Sequence, residues 1–435
     1  MSVFIATPEL VEKTCAQGKA LYELGRYAEA EKMLRQALSR DPNHWEAHTL
    51  LSLSLVRQST SAKPLPEKQK SALEEARRAV TLAPEREMSY FVLALAYYAN
   101  RKQNEAVDAA NQGLRLNPEA PWAYLIHSEI YLDRREWAAA LRSVEAGLKS
   151  EPEMVALLNN RSTALIMLER EAEAAQSIQA ALRLDPTSDE AHANRGWLAL
   201  YQGDRAAALT SFREALRLDP LSEVARQGFL RALQARNPLY RLMLAYTLWS
   251  SRLTREGALT FTIGIAQIGQ VLGLAARIFP PLYLIYLPWL FFYSLFVFFS
   301  WISDALFSLL LRFSPSGRLV LSKDEVAQSN WFGLCLLLLV LNIIAGIIWR
   351  QWGFLVGAVL SIMMMTPVSA VFKVDSEKRY RRAFVGVLAA LLGSTAICGQ
   401  VVMFIDIPWA SVPLFFFVVG CFTFPWIANL IIISE

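Results

Sequence analysis

Four histidines are the residues in this chain that are best suited to bind a metal or to move protons. His44 and His48 are four positions apart, which places two ligands on one face of a helix, and Glu46 lies between them. The pair straddles the start of a predicted helix near Trp45, where packing or capping is the usual role of such residues. We therefore predict packing or capping roles for these residues, as for His127 and His192, and no metal site.

The four cysteines do not form a redox or zinc motif. Cys15, Cys335, Cys398 and Cys421 show no C-x-x-C spacing, and three of them lie in apolar runs. This distribution predicts reduced thiols, with neither a disulfide framework nor a zinc site.

No catalytic motif is recognisable in the sequence. A glycine-rich phosphate loop, an H-E-x-x-H pair and a nucleophile elbow are all missing from it. No histidine follows His192, and the polar residues Asn342 and Gln400 are isolated within long apolar runs, so a proton relay is not expected there. The sequence therefore predicts that the protein is not an enzyme and binds no cofactor.

The composition changes near residue 238. Residues 1–237 contain 30 of the 43 basic and 31 of the 39 acidic residues, whereas residues 238–435 contain 13 and 8. The basic residues of the second half lie between apolar runs and do not form a stripe with interleaved aromatic residues, so nucleic-acid binding is not expected. The first half is suited to water and the second to lipid.

The hexapeptide ALRLDP occurs at residues 181–186 and again at 215–220, which is 34 positions later. Each copy predicts the end of a helix, because the residue before a proline disfavours helical geometry. Prolines recur at the same spacing at Pro84, Pro118, Pro152, Pro186 and Pro220, and Pro42 precedes the series by 42 positions. Alanine or glycine lies five residues before each of the six prolines, and alanine lies twelve before. Small residues at fixed offsets allow stacked helical hairpins to approach closely.

This pattern resembles the tetratricopeptide repeat, a helix-turn-helix unit of 34 residues, over roughly residues 9–222. The segments 24–42 and 203–220 are similar to the second helix of that repeat. The resemblance implies an all-α fold in which residues 1–237 form a right-handed superhelical solenoid of about six repeats, with residues 222–236 as a capping helix. The longer second interval predicts an extended turn at 58–66 between the two helices of the second repeat.

The resemblance also implies a concave groove that is lined by the first helix of each repeat and binds an extended peptide or another helix. The residues in register to line it are Lys19, Tyr22, Phe91, Tyr98, Trp122, Leu125, Glu129, Asn159, Trp197 and Tyr201. Some members of the family hold a C-terminal carboxylate with Lys, Asn and Arg, but the matching positions here are mostly apolar or acidic, so that activity is not expected. Packing between neighbouring helices is the alternative role for the aromatic residues.

The second half contains apolar runs that are long enough to cross a bilayer, about 20 residues each. Six spans are predicted, at 258–276, 278–302, 331–349, 353–372, 383–405 and 411–433. Residues 258–435 are therefore expected to form a helical transmembrane bundle joined to the solenoid. The first two runs contain glutamines and prolines and could form a kinked or re-entrant pair instead of two full spans. The motifs GQVLG at 269–273 and GFLVG at 353–357 predict close helix packing, within the chain or in a homodimer.

Residues 238–257 predict an amphipathic linker helix, because Leu239, Tyr246 and Leu253 belong to one apolar stripe. This helix is expected to lie at the membrane interface or to dock onto the last repeat. A second interfacial helix is predicted at 303–313. Ser322 and Glu325 have capping-box spacing and predict the start of the helix that follows.

The distribution of basic residues predicts the membrane orientation. The segments on one side of the predicted spans contain eleven Lys and Arg residues, and those on the other side contain only Arg277 and Arg350. Basic residues are retained on the cytosolic side, so the protein is predicted to be a multi-pass inner (plasma) membrane protein with its repeats, N-terminus and C-terminus in the cytosol. The eleven include a cluster of Lys378, Arg379, Arg381 and Arg382, which is a topology signal or a site for anionic lipid headgroups.

The chain as a whole resembles uncharacterised bacterial membrane-anchored tetratricopeptide repeat proteins that share a segment similar to ARNPLYR…SRL. The expected function is that of a scaffold whose cytosolic solenoid binds a protein or peptide partner and whose spans contact membrane lipids and anchor or assemble with membrane-complex subunits, or with a second copy. The alternative is a repeat-regulated membrane domain that transports or modifies a lipid or envelope precursor.

Overall fold

The computed structural model describes residues 8–59, 65–313, 321–373, 379–405 and 411–433. Every regular element in these ranges is a helix. The chain forms two compact units, of which the first comprises Met1–Ala232 and Leu248–Leu259 and the second comprises Leu233–Thr247 and Thr260–Glu435.

The first unit contains six helical hairpins, followed by one more helix. The helices are α1 (Pro8–Glu23), α2 (Tyr27–Arg40), α3 (Trp45–Gln58), α4 (Pro66–Leu82), α5 (Glu87–Ala99), α6 (Gln103–Leu116), α7 (Pro121–Asp133), α8 (Trp137–Ser150), α9 (Val155–Met167), α10 (Glu171–Leu184), α11 (Asp189–Tyr201), α12 (Arg205–Leu218) and α13 (Glu223–Gln234). Each odd-numbered helix from α1 to α11 is the first helix of a hairpin. The lengthened turn lies between α3 and α4, as expected, and residues 60–64 of it lie outside the described part of the chain.

The small residues of the repeat are the contact points of the stack. The alanines five and twelve positions before the repeat prolines have no exposed surface, and Gly113 and Gly147 replace alanine in the third and fourth repeats. A Cβ atom on Gly147 would lie 2.8 Å from Leu157 Cδ1 of the next repeat, closer than carbon atoms approach. The 34-residue series of small residues therefore reflects close contact of successive helices.

The turn inside most hairpins contains one residue with a left-handed backbone. These residues are Gly25, Arg101, Arg135, Glu169 and Gly203, with φ of 74°, 59°, 61°, 61° and 81°. The turn at Arg135 closes with hydrogen bonds from Arg135 N to Leu132 O (3.0 Å) and from Glu136 N to Tyr131 O (2.8 Å), the Schellman pattern that ends a helix. Three of the five positions thus hold a residue that lacks the conformational freedom of glycine.

We expect Arg135→Gly to raise the free energy of unfolding by up to about 1 kcal/mol, because glycine adopts φ near 60° without a steric penalty. The matched change Gly203→Ala should lower it by about 1 kcal/mol for the same reason. Thermal unfolding of both variants, followed by circular dichroism, checks the pair. Shifts of the same sign in both variants would contradict this reading of the turns.

One buried aromatic ring fills the contact between the last hairpin and α13. Phe212 on α12 has no exposed surface, and its ring fills the space opposite Gly196 on α11 and Gly228 on α13. Added Cβ atoms on these glycines would lie 2.7 Å and 2.2 Å from the ring. α13 therefore covers the last hairpin in the way expected of a capping helix.

The remaining helices comprise the amphipathic α14 and a set of longer, apolar helices. They are α14 (Pro238–Arg252), α15 (Arg255–Ile278), α16 (Tyr283–Leu311), α17 (Lys323–Trp349), α18 (Trp352–Val371), α19 (Arg379–Ile405) and α20 (Ser411–Ile433), with a 3-10 turn at Pro280–Leu282 before α16. In the described residues, four segments are long and apolar enough to cross a membrane by length and composition: Pro280–Leu311, Lys323–Trp349, Trp352–Val371 and Tyr380–Met403. The first and last predicted spans correspond to α15 and α20, in which the apolar helical segments Ile263–Ile278 and Val412–Cys421 are shorter.

Two local predictions for this unit have opposite outcomes. The capping box is confirmed, because Ser322 Oγ accepts from Glu325 N and a Glu325 carboxylate oxygen accepts from Ser322 N at the start of α17. The separate interfacial helix at 303–313 is wrong, because residues 303–311 continue α16 without a break. Pro288 lies five residues inside α16 and does not interrupt it.

The two isolated polar residues of the apolar region bond each other. Gln400 Nε2 on α19 donates to Asn342 Oδ1 on α17 (2.5 Å), and Asn342 Nδ2 donates to the Leu338 carbonyl oxygen (2.9 Å). Gly357 of the GFLVG motif lies beside this pair, and a Cβ atom there would lie 2.2 Å from Gln400 Nε2. The glycine thus leaves room for the amide pair. Gly269 of the other motif similarly faces the ring of Trp289 on α16, so both motifs pack within the chain.

We expect Gly357→Ala to destabilise this unit by about 2–3 kcal/mol, since the new methyl group must separate the hydrogen-bonded amides of Asn342 and Gln400. Gly346→Ala is the matched control, because its Cβ atom would be 3.5 Å from Phe354 Cβ, an ordinary contact. Thermal aggregation in detergent should shift downward only for the first variant. Equal shifts would mean that the amide pair does not depend on Gly357.

Candidate partner-binding site

All ten residues predicted to line the groove lie on first helices of the hairpins. Lys19 and Tyr22 lie on α1, Phe91 and Tyr98 on α5, Trp122, Leu125 and Glu129 on α7, Asn159 on α9, and Trp197 and Tyr201 on α11. Asn159 is buried, Lys19 and Trp122 are exposed, and the other seven are half-buried. The structure places these residues on the predicted helices, and their role in binding stays a prediction.

Several of the aromatic residues pack against neighbouring side chains. Trp197 meets the ring of Phe212 edge to face, with 5.5 Å between centroids, and the Arg231 guanidinium lies 5.4 Å from the Trp197 ring centre. Phe91 and Trp122, on successive first helices, have centroids 5.3 Å apart. Trp122 keeps 41% of its surface exposed, so it remains open to contact by an apolar segment. Trp197 therefore has a packing role, whereas Trp122 combines packing with exposure.

A group of carboxylates lies among the first helices of the fourth and sixth hairpins. Glu129 and Asp133 are one turn apart on α7, and Glu190 is on the first turn of α11, within electrostatic range of Glu129. The Tyr98 hydroxyl of α5 donates to Asp133 Oδ2 (2.8 Å). We refer to Glu129, Asp133 and Glu190 as the carboxylate cluster.

The cation that faces this cluster is one that the sequence pattern does not predict. Arg57 lies in the last turn of α3, next to the Tyr22 phenol, and its charge acts on Glu129. The extended turn after α3 breaks the 34-residue period, so counting back from Pro84 misses α3. Counting forward from the first residue of each helix recovers it, because Arg57 and Asp133 are both twelve residues after the helix starts at Trp45 and Pro121.

The protein around the cluster disfavours charged carboxylates. Desolvation is the main cause that raises the pKa of Glu129 to about 8, with Glu190 and Asp133 adding repulsion and Arg57 opposing the rise. Desolvation likewise raises the pKa of Glu190, against the hydrogen bond from Asn159. A carboxyl group with a pKa near 8 gains from any cation that approaches it.

The buried amide of Asn159 adjoins the cluster. Its Nδ2 donates to Glu190 Oε2 (3.1 Å) and to Ser188 Oγ (3.4 Å). Its Oδ1 is buried and has no hydrogen-bond partner among the described residues. Asn159 has only 2% of its surface exposed, so this free acceptor is fixed in place beside the carboxylates.

The side chain of the predicted groove residue Tyr201 is in contact with the end of α14. Its hydroxyl lies 2.7 Å from Ser251 Oγ, and the Arg252 guanidinium lies 4.8 Å from its ring centre. Arg252 also pairs with Glu169 (2.6 Å), and its carbonyl oxygen accepts from Trp137 Nε1 (2.8 Å). The end of α14 therefore docks against the fourth, fifth and sixth hairpins, a broader contact than the predicted docking onto the last repeat.

The members of the basic cluster at 378–382 differ in their surroundings. Lys378 lies outside the described residues, and Arg381 is exposed at the start of α19. Arg382 forms two hydrogen bonds with the Asp324 carboxylate (2.9 and 3.0 Å) and lies over the Phe372 ring. Arg382 thus ties α19 to the start of α17, a structural use that the sequence pattern does not distinguish from lipid contact.

The histidine pair has local roles. His44 caps α3, with Nδ1 accepting from Ala47 N (3.2 Å), and His48 Nδ1 lies 2.5 Å from Glu75 Oε2. Among the described residues, no group of three or more histidine, cysteine or acidic side chains has the geometry to hold a metal ion.

Comparison with known sequences identifies the repeats. Residues 15–63 and 127–189 match one family model of the tetratricopeptide repeat, and residues 189–222 match a second. The first unit therefore contains tetratricopeptide repeats, arranged as an all-α solenoid. No curated protein sequence matches the chain.

Solved structures that are similar to parts of this chain share little sequence with it. A chain of the APC/C hetero-tetramer Cut9-Hcn1 is 17% identical with a TM-score of 0.45, and the match covers 52% of this chain and 43% of that one. The pilF protein of Pseudomonas aeruginosa is 19% identical with a TM-score of 0.41, covering 53% and 98%. A tetratricopeptide repeat protein of Parabacteroides merdae is 17% identical with a TM-score of 0.43, covering 52% and 86%.

Proposed function

We propose that this protein is a membrane-anchored scaffold that binds a protein partner along the first helices of its repeats. Tetratricopeptide repeats mediate protein–protein interaction, and here they combine an exposed Trp122 with a cluster of charged and amide groups. The observation that carries the proposal is this combination of apolar and polar groups on one set of helices, at positions that neighbouring hairpins do not fill.

Anchoring in a membrane is the second part of the proposal. The apolar helices of the second unit expose large hydrophobic side chains, such as Leu284 (83% exposed) and Ile347 (72% exposed), which water does not favour but lipid does. The excess of basic residues on one side supports a cytosolic location of the repeats in a bacterial inner membrane. A reporter fused after Glu435 should be active in the cytosol, and activity only outside the cell would refute this orientation.

The alternative, in which the second unit transports or modifies a lipid or envelope precursor, has weaker support. Transport or catalysis at depth needs polar groups that face a substrate. In the described residues, Asn342 and Gln400 bond each other beside Gly357. That arrangement favours a packing role over a substrate site.

Affinity purification of the full chain from its native membranes tests the scaffold proposal. Trp122→Ser should abolish recovery of the partner, because it removes the exposed ring from α7. Leu184→Ser is the matched control, since Leu184 is also 41% exposed but lies on the second helix α10. Recovery of the same proteins with all three chains would refute binding along the first helices.

A further inference from the structure

We infer that the carboxylate cluster with Asn159 binds the cationic side chain of a lysine- or arginine-bearing extended segment of the partner. This inference rests on the proposed function and specifies the chemistry of what the repeats bind. It is distinct from recognition of a C-terminal carboxylate, which needs cationic groups where this chain has acidic ones.

The carboxylate cluster and Asn159 together offer a surplus of hydrogen-bond acceptors. Glu129, Asp133 and Glu190 offer acceptors when ionised, and Asn159 Oδ1 adds a buried acceptor without a partner among the described residues. Asn159 Nδ2 is already committed to Glu190 and Ser188. A fixed acceptor next to carboxylates requires a donor, and a cationic donor satisfies the charge as well.

The carboxylates of the cluster also outnumber the cations that face them. Arg57 faces Glu129 and Arg101 faces Asp133, so two guanidinium groups are set against three carboxylates. Once Glu129 loses its proton, the three carboxylates therefore outnumber the two guanidinium groups by one charge.

The chain shows the same kind of recognition at another place on its repeats. Arg252 approaches the fifth and sixth hairpins with its guanidinium on the Glu169 carboxylate and over the Tyr201 ring. A carboxylate and a tyrosine also adjoin at the cluster, where Tyr98 donates to Asp133. A peptide cation at the cluster would thus meet a set of groups that the repeats already use to hold Arg252.

The environment of Glu129 makes binding depend on pH. The groups that act on it come from four helices: Asp133 on α7 itself, Glu190 on α11, Arg57 on α3 and Tyr98 on α5. Its pKa of about 8 means that a proton occupies the carboxyl group near neutrality and leaves when a cation binds. Affinity for a cation should therefore rise as the pH increases towards 9 and the carboxylate forms.

The test uses the full chain in a neutral detergent and three fluorescent, unstructured peptides that differ at two positions only. These positions carry arginine, citrulline or glutamate, so that the second peptide removes charge while keeping the shape of the side chain. Anisotropy titration should show the arginine peptide binding about tenfold more tightly than the citrulline peptide, with the glutamate peptide weaker still. The preference should increase between about pH 7 and about pH 9, where arginine stays charged.

Matched variants assign the preference to the cluster. Combining Glu129→Gln with Glu190→Gln should reduce the preference for arginine at least about fivefold, whereas Glu153→Gln, in an exposed turn between hairpins, should not change it. Equal binding of the arginine and citrulline peptides, binding of neither, or displacement by Mg²⁺ at constant ionic strength would each overturn the inference. The scaffold proposal survives a failed peptide test if affinity purification of the full chain recovers a partner that Trp122→Ser does not. If the wild-type chain recovers no partner, both proposals fail.

Discussion

Phe212→Ala should lower the free energy of unfolding of the last hairpins by about 3–5 kcal/mol, one of the two largest effects expected in the chain. The ring has no exposed surface and is held between Gly196 and Gly228, neither of which carries a side chain that could move into the space. Alanine would therefore leave a cavity and remove the contact of α13 with the stack. Trp197, whose ring meets Phe212 edge to face, would lose its partner as well.

Limited proteolysis measures this effect locally, because repeat stacks lose stability from the affected end. Cleavage near residues 205–234 should become faster in Phe212→Ala while the first hairpins stay protected. The control is Leu116→Ala on α6, where the side chain is 46% exposed and the expected change is below about 0.5 kcal/mol. Equal cleavage rates in both variants would contradict the role of Phe212 in holding α13 against the last hairpin.

Glu129→Gln should stabilise the repeats, and the size of the gain should depend on pH. The pKa of Glu129 is raised to about 8 in the folded chain, whereas an unfolded glutamate ionises near 4.5. Between these values the unfolded state loses its proton first, so the wild-type chain becomes less stable as the pH rises. Glutamine does not ionise and escapes this loss, which is on the order of 2–4 kcal/mol above about pH 8.

The measurement is the difference in melting temperature between Glu129→Gln and the wild type at several pH values. The difference should be small near pH 4.5, grow through the window up to pH 8 and then level off. Glu153→Gln should show no such trend. A difference that is constant across the window would mean that Glu129 ionises normally and that the cluster is well solvated.

The sequence alone predicts the helical hairpins, because every repeat contains the same kinds of residue at the positions that end a helix and at the positions where helices touch. A proline ends the second helix, and alanine or glycine at two offsets allows the next helix to approach, so the period alone predicts the order of α1 to α12. The buried alanines confirm this reading. The Schellman turns were not predicted, because arginine and glutamate occupy three of the five left-handed positions and give no glycine signal.

The carboxylate cluster and the residues next to it could not be predicted from the period. Its members come from the second, fourth, fifth and sixth hairpins, and the packing of successive hairpins brings them within electrostatic or hydrogen-bonding range of one another. Spacing along the chain does not encode these contacts. Glu129 and Asn159 were found because they occupy groove positions of regular repeats. The pattern misses Arg57 because the extended turn after α3 shifts the register. Glu190 is two periods after Trp122 and is therefore in register with a predicted residue, although it is not among the ten.

The apolar half shows a similar limit. Asn342 and Gln400 are 58 residues apart, and each looks isolated within its own run. Helix packing brings them together across Gly357, so a glycine motif that predicts close approach also makes room for the polar pair. The end of α14 is a further case, since one amphipathic stripe is compatible with lipid and with protein, and the contacts of Arg252 favour protein at that end.

Site-specific photocrosslinking in living cells tests the central claim, that the first helices of the repeats hold a protein partner, most directly. Benzoylphenylalanine would replace Trp122 on α7 in one full-length chain and Leu184 on α10 in another, two positions of equal exposure. The account predicts a discrete crosslinked protein from position 122 and none from position 184. Crosslinks of equal yield from both positions, or no crosslink from position 122, would contradict it.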